Sequence, residues 1–335
     1  MIISRTPFRI SFCGGGTDFP DYFLNHGGKV ISSTIDKYLY VSVNSKFDGK
    51  IHLRYSHTEE INNIDEIKHN IIRECMRISG VSSGVEIVIT SDIPTKGSGL
   101  GSSSALTVGL LNALYAYKKC YVGPEFLANM ACQIELDILQ SPIGKQDQFA
   151  AAFGGLSLLE FDGEGCDVSD LRMDANAEKI KELENNSMLF YTGISRDANN
   201  ILEDHKNNIG VNKEFLDEMK NYVGTFQNWL NDKFTVVHND IKNIPVKILN
   251  DLWRLKKITT PKSSNSDIEL IISDLIKIDD VGVKLCGAGG GGFMLVYCDT
   301  KIQPFVREKI QHLHEIPFKF SNNGSEIIYN DNICN

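Results

Sequence analysis

Pro94-Thr95-Lys96-Gly97-Ser98-Gly99-Leu100-Gly101-Ser102-Ser103-Ser104-Ala105 is the stretch on which the reading of this sequence turns. Before it, Val85 to Ile89 alternates like a half-buried strand. After it, Leu106, Leu110, Leu111, Leu114 and Tyr117 fall on one helical face. The order is strand, glycine loop, helix. Glycines at 97, 99 and 101 let the backbone come close to a ligand, and the first N–H groups of the helix that follows have no partner inside it. Free donors at the positive end of a helix dipole make an anion site, most naturally for phosphate. A serine here could serve only as a helix cap, but three glycines followed by three serines exceed what a cap needs. The phosphate-holding set is thus Gly97, Ser98, Gly99, Leu100, Gly101, Ser102, Ser103 and Ser104. No Lys-Ser/Thr pair follows Gly101, so this is not a Walker A loop. A different type of nucleotide kinase is implied, in which amides, a magnesium ion and residues from elsewhere meet the phosphate charge.

Upstream, Phe8 to Phe12, Lys29 to Ile35, Leu39 to Asn44 and Ile51 to Tyr55 read as strands, and Asp65 to Ser79 as a helix. Downstream, Glu125 to Leu139 reads as a helix with Leu127, Met130, Ala131, Ile134 and Ile138 as its buried stripe. Gly144 to Phe149 reads as a polar loop and Leu156 to Phe161 as a strand. The polar, punctuated run from Asp162 to Asn186 is the natural lobe boundary, giving lobes at 1–185 and 186–335. Beyond it come a strand at Met188 to Tyr191 and helices around Asp197 to Lys206, Lys213 to Leu230, Pro245 to Lys256 and Asp267 to Lys277. Strands follow at Val281 to Cys286 and Phe293 to Tyr297, then a helix at Pro304 to Leu313 and strand-like Pro317 to Phe320 and Ser325 to Tyr329. The arrangement is α+β.

The chain has 335 residues, is 42% hydrophobic and carries a net charge of −9, which excludes disorder and binding to nucleic acid through a basic face. Eight cysteines show neither CxxC pairs nor zinc spacing and fit a reducing cytosol. No run approaches the ~20 apolar residues of a membrane helix, and Arg5, Pro7 and Arg9 interrupt the N-terminus, so a cytoplasmic protein without membrane or nucleic-acid partners is expected.

Two other glycine clusters flank the chain. Gly287 to Gly292 satisfies GxGxxG, but a strand pattern follows it where a dinucleotide site needs a helix. It is either a flexible hairpin or a loop that must pass close to a ligand or another backbone. Gly14, Gly15 and Gly16, with Thr17 and Asp18, follow a strand carrying Arg9 and form either a plain turn or a polar pocket for hydroxyls.

The three clusters, in this order, resemble the GHMP kinases. The first family motif matches Arg5 through Asp18, the second Pro94 through Ala105, and the third Lys284 through Gly292. Within that family, Phe12 to Asp18, Gly144 to Gly155, Thr192 to Arg196, and Pro317 to Phe320 with Gly324-Ser325 most resemble the bacterial branch acting on D-glycero-D-manno-heptose 7-phosphate at its anomeric hydroxyl. Galactokinases carry Glu-His where Gly15-Gly16 stand here. The resemblance implies a two-lobed fold, with an N-terminal lobe like domain 2 of ribosomal protein S5 and a ferredoxin-like C-terminal lobe. It implies ATP and Mg²⁺, with a small sugar phosphate as partner. It implies Asp147 and Arg9 as catalytic, Glu135 with Ser103 as metal ligands, and Gly15, Gly16, Thr17, Asp18, Lys145, Arg196, Gly289 and Gly290 around the acceptor. Apart from the resemblance, Glu135 reads as a solvated helical glutamate, Arg9 as a surface charge and Asp147 as a turn residue. A sugar such as fucose, a regulator that has lost catalysis and a dinucleotide-dependent oxidoreductase remain the other readings.

Overall fold

The computed structural model describes residues 1–173, 175–194, 198–233 and 243–331. The first sheet is built around one long strand. β2 (Gly28–Ser45) runs antiparallel to β1 (Ile2–Cys13) over most of its length. On its other side the first half of β2 pairs with β6 (Leu156–Phe161) and the second half with β5 (Val85–Ser91). The two strands expected at 29–35 and 39–44 are therefore a single one, because both halves share the same partner, β1. β3 (Ile51–Arg54), parallel to β5, and β4 (Thr58–Ile61) extend one flank, and β7 (Cys166–Asp170) extends β6.

The second sheet is antiparallel, in the order β11 (His314–Glu315), β8 (Ser187–Tyr191), β10 (Phe293–Tyr297), β9 (Gly282–Leu285). Numbered along the chain, these strands stand 4-1-3-2, the order of a ferredoxin-like lobe. Two expectations change here. Pro317 to Phe320 makes only an isolated bridge from Phe320 to Ile35, and the short strand lies earlier, at His314–Glu315. The terminal strand β12 (Glu326–Asn330), expected in the second lobe, pairs with β1 and covers the outer edge of the first sheet, whose backbone groups would otherwise be unpaired.

Helices fill the rest: α1 (Pro20–His26), α2 (Asn70–Ser79), α3 (Ser102–Tyr117), α4 (Pro124–Cys132), α5 (Gln146–Phe153), α6 (Ala177–Asn186), α7 (Ala198–Asn207), α8 (Lys213–Leu230), α9 (Ile244–Thr259), α10 (Ser266–Leu275) and α11 (Gln303–Lys309). α3 is apolar almost all round and accordingly buried, packed on β1 and β2 and flanked by α2, α4 and α5. The helix expected over 125–139 leaves α-geometry at Gln133 and finishes as a π-helical turn, Gln133–Ile138. Residues 146–149, expected in a loop, open α5. Among the described residues no helix is long and apolar enough to cross a membrane.

Candidate active site

The loop between β5 and α3 is held from both ends. Gly101 stands at the helix start in the left-handed region, φ 76° and ψ 31°, a conformation that costs other residues strain. The first intrahelical bond is Ala105 N–H to Gly101 O at 2.9 Å, so the N–H groups of Ser102, Ser103 and Ser104 precede it. The Ser102 hydroxyl is committed to the loop itself, donating to Thr95 O at 2.5 Å and lying 3.1 Å from Ser98 Oγ. The third glycine cluster lies against this loop. Phe293 N–H donates to Ser98 O at 2.9 Å, and a methyl on Gly287 would meet Gly99 Cα at 2.5 Å. The cluster from Gly287 to Gly292 is thus glycine-rich because one backbone crosses another. Gly289 and Gly290 face Ser263 and Asn265: Gly290 N–H donates to Ser263 O, and Asn265 Nδ2 donates to Gly290 O at 3.1 Å.

Arg9, expected on residue type alone at the surface, points inward from β1 with its side chain 5% exposed. Its Nε donates to Asp147 Oδ1 at 2.7 Å, Nη2 to Asp147 Oδ2 at 2.8 Å, and Nη1 to Gly99 O at 2.8 Å. Asp147 lies in the first turn of α5, and a methyl placed on Gly101 would sit 3.3 Å from its Oδ2. A bidentate guanidinium–carboxylate pair therefore stands at the mouth of the α3 N-terminus.

Asp18 is 1% exposed and ties the first glycine cluster to α5. It accepts from Gly16 N–H at 2.9 Å on Oδ1, and from Gln146 N–H and Nε2, both at 3.1 Å, on Oδ2. Burial raises its pKa and the charge on Asp147 adds to this, while the N–H donors of Gly16 and Gln146 oppose it. Thr17 is wholly buried and its hydroxyl donates to Gly14 O and Lys29 O, so it braces the turn. Lys145 lies with its ammonium 5.3 Å from the Phe23 ring centre and does not line the cavity described below. Arg196 lies outside the described residues.

Glu135 is 1% exposed within the π-turn, where Ser104 Oγ at 2.8 Å and Gln148 Nε2 at 2.7 Å both donate to its Oε2. Burial raises its pKa to about 7 against the lowering effect of its hydrogen bonds from Ser104, Gln148 and Ser103. It is thus not the solvated glutamate its residue type suggests. Among the described residues no three His, Cys, Asp or Glu side chains gather as a metal cage. The donors present, one carboxylate with serine hydroxyls beside it, are hard oxygen ligands that suit an ion keeping other oxygens from phosphates and water.

The Arg9–Asp147 pair, Asp18 with the first glycine cluster, and the phosphate loop open onto one cavity of about 740 Å³ between the lobes, whereas Thr17, Glu135, Gly289 and Gly290 lie behind its wall. Its wall includes Arg9, Gly15, Gly16, Asp18, Gly97 to Gly99, Gly101 to Ser103 and Asp147. It also includes residues that the sequence reading left without a role: Ser11, His69, Gln146, His205, Lys256 and Lys284. Lys284, 9% exposed, donates to Ser11 O at 3.0 Å and Phe12 O at 3.3 Å, and burial lowers its pKa. A lysine in the otherwise apolar strand run Val281 to Cys286 was the signal for it. Lys256, from the last turn of α9, donates to Gly287 O. At the far end, Leu39, Ile71, Ile89 and Leu106 make an apolar wall beside Tyr55 and His69.

Residues 66–155 match the family model of the GHMP kinases N terminal domain. The chain is 31% identical over 317 residues to the D-glycero-alpha-D-manno-heptose 7-phosphate kinase of Campylobacter jejuni, covering 89% of each. It is 26% identical over 336 residues to the L-fucokinase/L-fucose-1-P guanylyltransferase of Bacteroides fragilis, spanning 88% of this chain and 34% of that protein. In fold it is similar to the crystal structure of a D-glycero-D-manno-heptose 1-phosphate kinase from Bacteroides thetaiotaomicron, with a TM-score of 0.77 over 98% of this chain and 100% of that one, at 21% identity.

Proposed function

The chain belongs to the GHMP kinases, phosphotransferases with an alcohol group as acceptor, and from that premise we propose an ATP-dependent sugar kinase that phosphorylates the anomeric hydroxyl of D-glycero-D-manno-heptose 7-phosphate. The 1,7-bisphosphate formed would serve nucleotide-activated heptose and surface glycans. The observation that carries the reading is the Arg9–Asp147 pair standing against the open N-terminus of α3 within the same cavity as Asp18.

In this reading the triphosphate lies on the amides of Ser102, Ser103 and Ser104 and on the loop from Gly97, with the base against Leu39, Ile71, Ile89 and Leu106. Glu135 and Ser103 would hold Mg²⁺, which supplies charge neutralisation on the phosphates. Asp147 takes or orients the proton of the attacking hydroxyl, a role its first-turn position on α5 serves. While Asp147 is ionised, Arg9 is neutralised by it. As the proton arrives on Asp147, the guanidinium charge is released toward the phosphoryl oxygens, so the two residues act in sequence without either moving far. Asp18 closes the acceptor end. Lys284 and Lys256 add positive charge to the wall that the acceptor's own phosphate would meet, in place of Lys145, which lies off the wall over Phe23; Arg196 is a further candidate from outside the described residues. Gly15 and Gly16 shape the backbone beside it and Thr17 braces their turn from behind, while Gly289 and Gly290 pack on Ser263 and Asn265 away from the acceptor.

The test is ATP with a panel of acceptors, following ADP release and the product by phosphorus NMR. Turnover of heptose 7-phosphate with a new anomeric phosphate is expected. Turnover of L-fucose with none of the heptose phosphate would replace the acceptor by a plain sugar.

A further inference from the structure

The acceptor end of the cavity carries polar atoms that the reaction above leaves unused. On the reading that a sugar sits there, we infer that His205 Nε2, seconded by Ser11 Oγ, hydrogen-bonds ring hydroxyls of the acceptor and so selects which sugar is accepted.

His205 reaches the cavity from α7 and is 8% exposed. Its Nδ1 lies 2.8 Å from Thr260 Oγ1, and the Phe19 ring stands edge-on to it with centres 4.9 Å apart, so the imidazole is fixed in place. The other nitrogen, Nε2, is buried and meets no full hydrogen-bond partner among the described residues; the Gly16 backbone beside it favours the charged ring without satisfying the atom. Ser11 Oγ and Gln146 Oε1 are likewise buried without partners among the described residues. His205 Nε2, Ser11 Oγ and the Gln146 side-chain amide border two adjacent glycines. A methyl on Gly16 would lie 3.0 Å from His205 Nε2, and one on Gly15 would lie 3.6 Å from both Ser11 Oγ and Gln146 Nε2. Gln146 Nε2 already donates to Asp18, so Oε1 is the atom of that amide left without a partner.

Three orphaned polar atoms around a missing pair of side chains are costly unless something fills the gap with hydrogen-bonding partners. The filler is defined by chemistry. Gln146 Oε1 only accepts, whereas Ser11 Oγ both donates and accepts. Nε2 donates or accepts according to which way the proton on Nδ1 is shared with Thr260. A hydroxyl group, able to turn its proton either way, satisfies all three; a phosphate, which only accepts, leaves Gln146 unsatisfied. The ligand part beside Gly15 and Gly16 is therefore a hydroxylated ring face. Burial, and after it the nearby Lys256, depress the His205 pKa to about 4, so the ring is neutral near pH 7 and adds no charge of its own.

The experiment compares wild type with His205→Gln and Ser11→Ala. The acceptors are D-glycero-D-manno-heptose 7-phosphate and L-fucose, and the 2-, 3- and 4-deoxy forms of whichever is turned over. The expected result is an acceptor KM raised about tenfold in each variant, as the loss of about one hydrogen bond predicts, with the ATP KM within twofold. One deoxy analogue, penalised by the wild type, should lose its penalty in His205→Gln. An acceptor KM within twofold of wild type, or a pattern of deoxy discrimination unchanged in both variants, overturns the inference. A His205→Gln protein that does not fold leaves the same comparison to Ser11→Ala. A wild type active on fucose alone refutes the heptose acceptor proposed above, and the His205 effect is then read on fucose. A wild type that neither turns over nor binds any of these sugars overturns both.

Discussion

Gly287→Ala tests whether the third glycine cluster exists to seat the phosphate loop. The added methyl would stand 2.5 Å from Gly99 Cα and 2.7 Å from Gly99 O, where ordinary contact begins near 3.4 Å. The two backbones must then part by about 1 Å. Position 287 also has φ +59°, which costs a non-glycine residue about 1–2 kcal/mol. The clash matters more than the strain, because both opposing surfaces are backbone. They are also tied together nearby by Phe293 N–H to Ser98 O at 2.9 Å. A displacement of about 1 Å in groups that position a substrate can cost about 100-fold, so the ATP KM should rise by ~10- to 100-fold and the thermal midpoint should fall by several degrees. Gly163→Ala is the control: nothing lies within 4 Å of its methyl and its φ is not left-handed. The assay is steady-state ADP release at varied ATP, paired with thermal denaturation with and without nucleotide. An ATP KM and a midpoint in Gly287→Ala both matching Gly163→Ala would refute the argument that this contact supports nucleotide binding.

Asp147→Asn keeps one acceptor for Arg9 but cannot take a proton. kcat should fall by ~10² to 10⁴ while the ATP KM stays within a few-fold, and a kcat within tenfold of wild type would remove Asp147 from the chemistry. The His205 pKa of about 4 lies below the ordinary 6.5, so the folded chain refuses a proton that the unfolded chain accepts. Its contribution to stability is complete above about pH 6.5 and is lost as pH falls toward about 4. The charged groups facing it are Lys256 on α9 and Asp204 on its own helix. Wild type should therefore lose about 2 kcal/mol relative to His205→Gln between pH 7 and pH 5 in parallel denaturant titrations, and equal slopes would show that the ring titrates normally.

What the sequence discloses follows from how local the cause is. The phosphate loop is legible because glycines at 97, 99 and 101 and the serines after them act through their own backbone, and Phe293–Tyr297 is legible because five consecutive apolar residues form a buried central strand. α5 is not: its first turn, Gln146-Asp147-Gln148, is polar because it faces the site, and only Phe149 to Phe153 remain to show a helical period. Gly287 left two readings open, since the backbone it must clear, at Gly99, lies far away in sequence. His205 and Lys284 gain their meaning only from packing. Nothing adjacent to a histidine on a polar helix, or to a lysine in a strand, says that Gly16 or the carbonyls of Ser11 and Phe12 will meet it.

Asp147 is close enough to be felt by both Asp18 and Glu135, and the surroundings of Asp18 and Asp147 assign those two different work. Asp18 has Oδ1 bonded to Gly16 N–H and Oδ2 to two donors of Gln146, and a methyl on Gly144 would overlap its carboxylate. Two of its three donors are backbone N–H groups that cannot follow a moving proton, and protonation would weaken the bonds they make to it. Asp147 is bonded by a single side chain, Arg9, and remains 24% exposed to the cavity. Protonating it releases a cation beside the place where negative charge grows, which favours the reaction instead of opposing it. In the proposed transfer, proton movement therefore belongs to Asp147. Asp18 holds the Gly14–Gly16 turn and the start of α5 in register, so that the acceptor hydroxyl and the Arg9–Asp147 pair meet at the N-terminus of α3.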